Sequence, residues 1–218
     1  MPDDSTPSAD ALPSAPARKR PKPGERRVQI LQTLAAMLEQ PAGERITTAA
    51  LAARLEVSEA ALYRHFASKA QMFEGLIEFI EQSVFTLINQ IVEREEATGG
   101  EPASVGERQA AKVISMLMQF AERNPGMARV MVGDALVFEN ERLQQRMNQF
   151  FDKVEATLKQ CLRGSLAGEG SATPTVDAQV RAGVLAAFAA GRLQRFVRSG
   201  FKRLPSEHLE LSLGLLLG

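Results

Sequence analysis

The chain has 218 residues, 44% apolar and 24% charged, within the ordinary range for a globular protein of one or two domains. Its 26 Lys and Arg balance 26 Asp and Glu, which excludes a histone-like, generally polycationic binder. Its one cysteine, Cys161, excludes a disulfide framework within the chain.

The charge is unevenly spread. Residues 1–17 carry three Asp and no base, residues 18–69 ten bases against five Glu, and residues 70–218 sixteen bases against eighteen acids. A basic block ahead of a slightly acidic body points to an end that meets an anion. The N-terminus is acidic and Pro/Ser-rich and lacks the apolar core of a secretory leader. No run reaches the roughly 18 apolar residues that cross a bilayer. The expectation is a cytoplasmic protein with no membrane partner.

Residues 1–23 read as a disordered, Pro-rich tail ending in the basic cluster Arg18, Lys19, Arg20 and Lys22. From Arg26 onward the apolar periodicity is helical, and an all-α fold follows. Helices are expected at about 25–40, 48–55, from Ser58 through His65, and from Ser68 to about Glu96. Ser68 and Gln71 have capping-box spacing. Further helices are expected at about 105–122, 126–137, 139–163, 177–199 and 206–217. The Gly/Ser/Thr-rich stretch Gly164 to Pro174 reads as a loop.

The segment Thr47 to Lys69, TTAALAARLEVSEAALYRHFASK, carries the sharpest signal. Two short helices around a tight turn make a helix-turn-helix. Leu51, Leu55, Val57, Leu62 and Phe66 supply a small shared core, and Ala52 and Ala61 allow close approach. Ser58 caps the second helix and leaves Glu59, Ala60, Tyr63 and Arg64 to face the major groove. Tyr63 and His65 can donate to phosphates. Lys69, in the first turn of the next helix, and Thr47 or Thr48, at the preceding one, lie where free N–H groups favour a phosphate. The expected domains are 24–70 for DNA binding and 71–218 for a helical core that carries partner binding and dimerisation.

This motif resembles the TetR family of DNA-binding proteins, through Thr48, Leu51-Ala52, Val57-Ser58, Leu62-Tyr63, His65-Phe66 and Ser68-Lys69. A wider resemblance, over residues 26–218, is to an atypical branch of that family that acts in cell division. It is carried by RRVQILQTLAAMLE, RITTAALAARLEVSEAALYRHFASKAQMFEGLIEFIEQS, FAERNPGMARVMVGDALVFENERLQQRMNQFF and RFVRSGFKRLP. That resemblance implies a homodimer on palindromic DNA in the nucleoid. It also implies a protein partner, the C-terminal tail of the tubulin-like division protein FtsZ. The acidic residues 1–17 depart from this branch.

On the long helix, Phe73, Leu76, Ile77, Ile80, Val84, Leu87, Ile88 and Ile91 form one apolar stripe. Phe79 falls about 120° from its centre, so it either packs on another helix or stands exposed as an aromatic anchor. The resemblance implies that the FtsZ tail docks between this helix and the one ending at Arg123-Asn124. Arg123 would pair with a carboxylate of the acidic tail and Asn124 would bond its backbone. Met116 or Met118 could line the same groove, since Met adapts to varied partners.

Residues 177–199 are rich in Ala and Gly, with Val180, Val184, Phe188 and Leu193 supplying apolar area. With the leucines of 209–217 they suggest a helix pair that doubles into a dimer interface. Arg195, Arg198, Lys202 and Arg203 form a basic run at its end. No metal signature, phosphate loop or nucleophile elbow occurs, so neither cofactor nor enzymatic activity is expected. The competing reading is a ligand-responsive repressor, which needs an apolar cavity with inward polar groups in the 105–199 bundle. That bundle offers no Trp, Tyr or His for the purpose.

Overall fold

The computed structural model describes residues 24–40, 46–100, 102–168 and 170–218, and the described residues contain no strand. The tail expected at 1–23 lies outside them. In chain order the helices are α1 (Glu25–Leu38), α2 (Thr48–Arg54), α3 (Glu59–Tyr63), α4 (Lys69–Thr98), α5 (Pro102–Arg123), α6 (Pro125–Met131), α7 (Glu141–Gly168), α8 (Pro174–Arg198) and α9 (Leu209–Leu217).

The first three helices and the start of α4 share one core. Ile30, Leu34, Leu51, Leu62, Phe66, Met72, Phe73 and Leu76 are all buried there. Burying a side chain of this size stabilises by about 1.5–3 kcal/mol. Gly75 lets α4 come close: a Cβ there would lie 3.0 Å from the Phe66 ring. The caps are local. Thr47 Oγ1 accepts from Ala50 N, Ser58 Oγ from Ala61 N and Ser68 Oγ from Gln71 N. Gln71 Oε1 answers by accepting from Ala67 N at 2.9 Å, one residue ahead of the usual reciprocal partner. The second helix of the motif ends at Tyr63, so His65 lies beyond it rather than within it.

The body is built from α4, α5, α7 and α8. A Cβ at Gly106 would overlap the Cys161 carbonyl oxygen, so the α5 and α7 backbones touch. Phe150 stands edge-on to Phe85 at 5.6 Å and to Phe151 at 5.2 Å. Burial pushes the Cys161 thiol up to about 11.

Three expectations fail here. The loop expected from Gly164 is helix as far as Gly168, because Ser165 and Leu166 are buried on the inward face of α7. That burial outweighs the ~1 kcal/mol helix cost of a glycine. The helix expected over 126–137 breaks after Met131: Gly133 takes φ 78°, and a single 3-10 turn follows at Asp134–Leu136. Leu87, placed on the apolar stripe of α4, is 38% exposed, although Leu76 and Ile88 at the two margins of that stripe are buried.

The body is tied through α6 to the helix-turn-helix unit of α1–α3 and the start of α4, the reading head. Gly126 is seated on the Ala35 carbonyl of α1, where a Cβ would overlap the oxygen. Arg129 Nη1 donates to Leu38 O at 3.2 Å and Gln40 O at 3.3 Å, and its Nε donates to Asp134 Oδ2 at 2.7 Å.

Candidate nucleic-acid interface and the shoulder behind it

Ser58, Glu59, Ala60, Tyr63, Arg64 and His65 are all exposed, on and just beyond α3. Thr47 is exposed at the head of α2 and Thr48 half-buried beside it. A short polar chain links the two helices: Tyr63 Oη donates to Thr48 Oγ1 at 3.4 Å, and Thr48 Oγ1 donates to Glu59 Oε2 at 2.6 Å. This fixes the angle between α2 and α3 on the outer surface, as Leu51 and Leu62 fix it from beneath. The result is an exposed polar ridge that carries an aromatic hydroxyl, a guanidinium and a carboxylate, groups able to bond base edges and phosphates.

Two cations brace the ridge, and sequence spacing did not flag either role. Arg27 on α1 lies 4.1 Å over the Phe66 ring, and its Nη1 donates to His65 O at 3.0 Å. It thereby holds the turn after α3, from a position 38 residues away. Lys69, expected to be free for a phosphate, is instead engaged with Glu139, which lies between the 3-10 turn and α7.

Behind the ridge, α4 and α5 form a shoulder. Arg108 Nε donates to Glu95 Oε2 at 3.3 Å, Lys112 pairs with the other oxygen, and Gln109 Nε2 donates to Val92 O at 3.1 Å. Lys112's hydrogen bond holds the Glu95 carboxyl below its ordinary 4.5, against the opposing pull of burial and with help from Arg108. These bonds set an antiparallel register. Sixteen residues back from Glu95 on α4 is Phe79, and sixteen forward from Arg108 is Asn124, just past the end of α5. The two positions therefore lie toward the same end of the antiparallel helix pair. Phe79 is 37% exposed, Arg123 is exposed, and Met116 is half-buried against the core. Met118 is fully buried. Asn124 Nδ2 donates to Phe120 O at 2.8 Å, which leaves its amide oxygen for another donor.

Residues 30–76 match the family described as bacterial regulatory proteins of the tetR family, and residues 108–217 match the SlmA-like family described as a tetracyclin repressor-like C-terminal domain. Solved structures agree on the fold. A Bacillus subtilis FadR structure matches with a TM-score of 0.69 at 16% identity, covering 88% of this chain and 97% of that one. FadR of Bacillus halodurans gives 0.67 at 15% identity, covering 91% and 97%. The reading head and the helical body together define a TetR-type DNA-binding regulator rather than an enzyme. Within that class, the chain is 51% identical over 183 residues to nucleoid occlusion factor SlmA of Idiomarina loihiensis, covering 84% of this chain and 89% of that one. It is 52% identical over 183 residues to nucleoid occlusion factor SlmA of Shewanella loihica, covering 84% and 88%. The chain belongs to the SlmA family.

Proposed function

We propose that this protein is a nucleoid occlusion factor: a homodimer that reads palindromic DNA through Tyr63 and its neighbours and holds the FtsZ C-terminal tail on the α4–α5 shoulder, so blocking division over the chromosome. The names of its half-identical relatives support the role. The observation that carries the partner is that Phe79 and Arg123-Asn124 lie toward the same end of the α4–α5 pair, with Phe79 and Arg123 exposed. An exposed aromatic offers an apolar anchor, Arg123 a charge for an acidic tail, and Asn124 an amide for its backbone. Among the described residues no helix is long and apolar enough to cross a membrane.

The dimer reading is supported by an apolar stripe on the outside of the body. Val176, Val180 and Val184 on α8 are 60, 60 and 48% exposed, and Leu211 and Leu215 on α9 are 73 and 87% exposed. A monomer leaves that face in water, and two copies related by a twofold axis cover it.

The test is binding of a labelled FtsZ tail peptide, by anisotropy, to free protein and to protein saturated with a palindrome selected from a random pool. Specific tail binding, tighter on DNA, is the expected result. DNA binding with no tail binding in either state would return the protein to the ligand-responsive repressors.

A further inference from the structure

The end of α8 carries a basic corner that the reading head and the shoulder do not use. After Arg198 the chain turns sharply, with Gly200 at φ 63° and Phe201 at φ 66°. A phenylalanine in the left-handed region is held there by several bonds at once. Phe201 N donates to Phe196 O at 2.9 Å, and the two rings lie 5.2 Å apart. Ser199 Oγ accepts from Lys202 N at 3.1 Å and Arg203 N at 2.9 Å. Further along, Ser206 N donates to Glu122 Oε1, and Arg192 grips the Pro205 and Glu207 carbonyls. The corner is therefore a rigid platform.

The platform displays four cations. Arg195, Arg198, Lys202 and Arg203 are all exposed, and none of the ion pairs among the described residues involves them. Glu207 is the carboxylate that shares a cleft with Arg195 and Arg203. Asp134, near Arg198, is already paired with Arg129. Without these four, residues 70–218 carry twelve bases against eighteen acids. The corner is thus a concentrated positive spot on an otherwise acidic body.

Its position is informative. Val197 and Arg198 border one cleft with Met131 to Asp134, at the end of α6. That helix sits on α1 through Gly126 and Arg129. The corner therefore lies at the reading-head end of the body. The exposed stripe of the same helix, α8, faces the proposed dimer axis, so two corners would flank that axis between the two reading heads.

We infer that the Arg195–Arg203 corner is a second, sequence-independent contact to DNA phosphates, lying over the stretch between the half-sites. Charge complementarity calls for an anion, and the placement at the reading-head end of the body favours the DNA backbone over an acidic protein segment. The placement between the heads rests on the dimer reading. The contact positions the duplex and carries no base readout.

The test uses the full chain with Arg195→Gln/Arg198→Gln, Lys202→Ala/Arg203→Ala and the combined fourfold variant, each checked for wild-type thermal unfolding. Affinity is measured across a salt series for a selected palindrome and a scrambled duplex of equal length. Tyr63→Ala serves as the control for the reading head. The fourfold variant is expected to lose affinity for both duplexes by the same factor. Its slope of log K against log salt should fall by about 0.9 for each phosphate contact removed. Tyr63→Ala should instead narrow the gap between the two duplexes. Wild-type slopes and affinities in the fourfold variant overturn the inference, even where Tyr63→Ala confirms the reading head. Loss of FtsZ-tail binding with DNA binding intact also overturns it, and assigns the corner to the acidic peptide.

Discussion

Lys69 Nζ, on the first residue of α4, lies 2.5 Å from Glu139 Oε1, just ahead of α7, and the two side chains are only 22 and 11% exposed. The lysine best placed for a phosphate is thus already neutralised by the body. DNA must compete with Glu139 for it. Replacing Glu139 by Gln keeps the shape and removes the charge. General DNA affinity should rise, and the salt slope should steepen by about 0.9 if one lysine is released to one phosphate. Anisotropy titrations on a scrambled duplex measure both, and an unchanged slope would show that Lys69 does not reach the backbone.

Gly126→Ala forces a methyl into the Ala35 carbonyl. Overpacking of this kind costs about 1–3 kcal/mol. The melting temperature should drop, and DNA affinity should fall although residue 126 lies outside the reading head. Calorimetry and titration on the same sample decide the matter. A stable variant with normal DNA binding would mean that α6 and α1 part without consequence.

Tyr63→Ala and Phe79→Asp should separate DNA binding from the proposed FtsZ-tail binding. Tyr63 is 45% exposed on the ridge, and Phe79 is exposed on the shoulder. The first variant should bind DNA more weakly and the FtsZ tail normally, and the second should do the reverse. Equal loss of both in either variant, with folding intact, contradicts the division of labour.

The Glu95 carboxyl titrates below its ordinary 4.5 in the folded chain. A depressed carboxylate contributes stability that is present above the unfolded value and is lost as pH falls through the folded one. Glu95→Gln should therefore lower the melting temperature at neutral pH, with the gap to wild type closing on acidification below about 4.5. Melts across a pH series test this. A gap that stays constant down to strongly acidic pH would leave the ion pairs to Lys112 and Arg108 without an energetic role.

Local features were legible in the sequence. Ser58 and Ser68 cap the helices they precede, because a cap depends on residues three apart. Phe79 stood out because one helical wheel is enough to place it off the stripe. What stayed hidden depends on distance along the chain. The partner of Lys69 is 70 residues away, and the carbonyl partners of Arg129 are about 90 away. Nothing around Gly126 announces a carbonyl from α1. Gly164 looked like a loop because propensity is local, while the burial of Ser165 and Leu166 that overrides it is set by α5. Leu87 failed for a related reason: a wheel shows which face is apolar and not how far a neighbour extends to cover it.

The continuity of α4 limits how this protein can be cut. Thirty unbroken residues begin at Lys69, and the first two turns, with Met72, Phe73 and Leu76, complete the floor of the reading head. A fragment ending at residue 70 would lose that floor and leave Phe66 and Leu31 facing water. A chimera that transplants the DNA specificity onto another scaffold must therefore carry α4 to at least Ile80 and splice within a helix, in phase with the recipient. Recombination at the apparent domain border would strip Leu31 and Phe66 of their α4 partners, so the head and the start of α4 must travel as one piece.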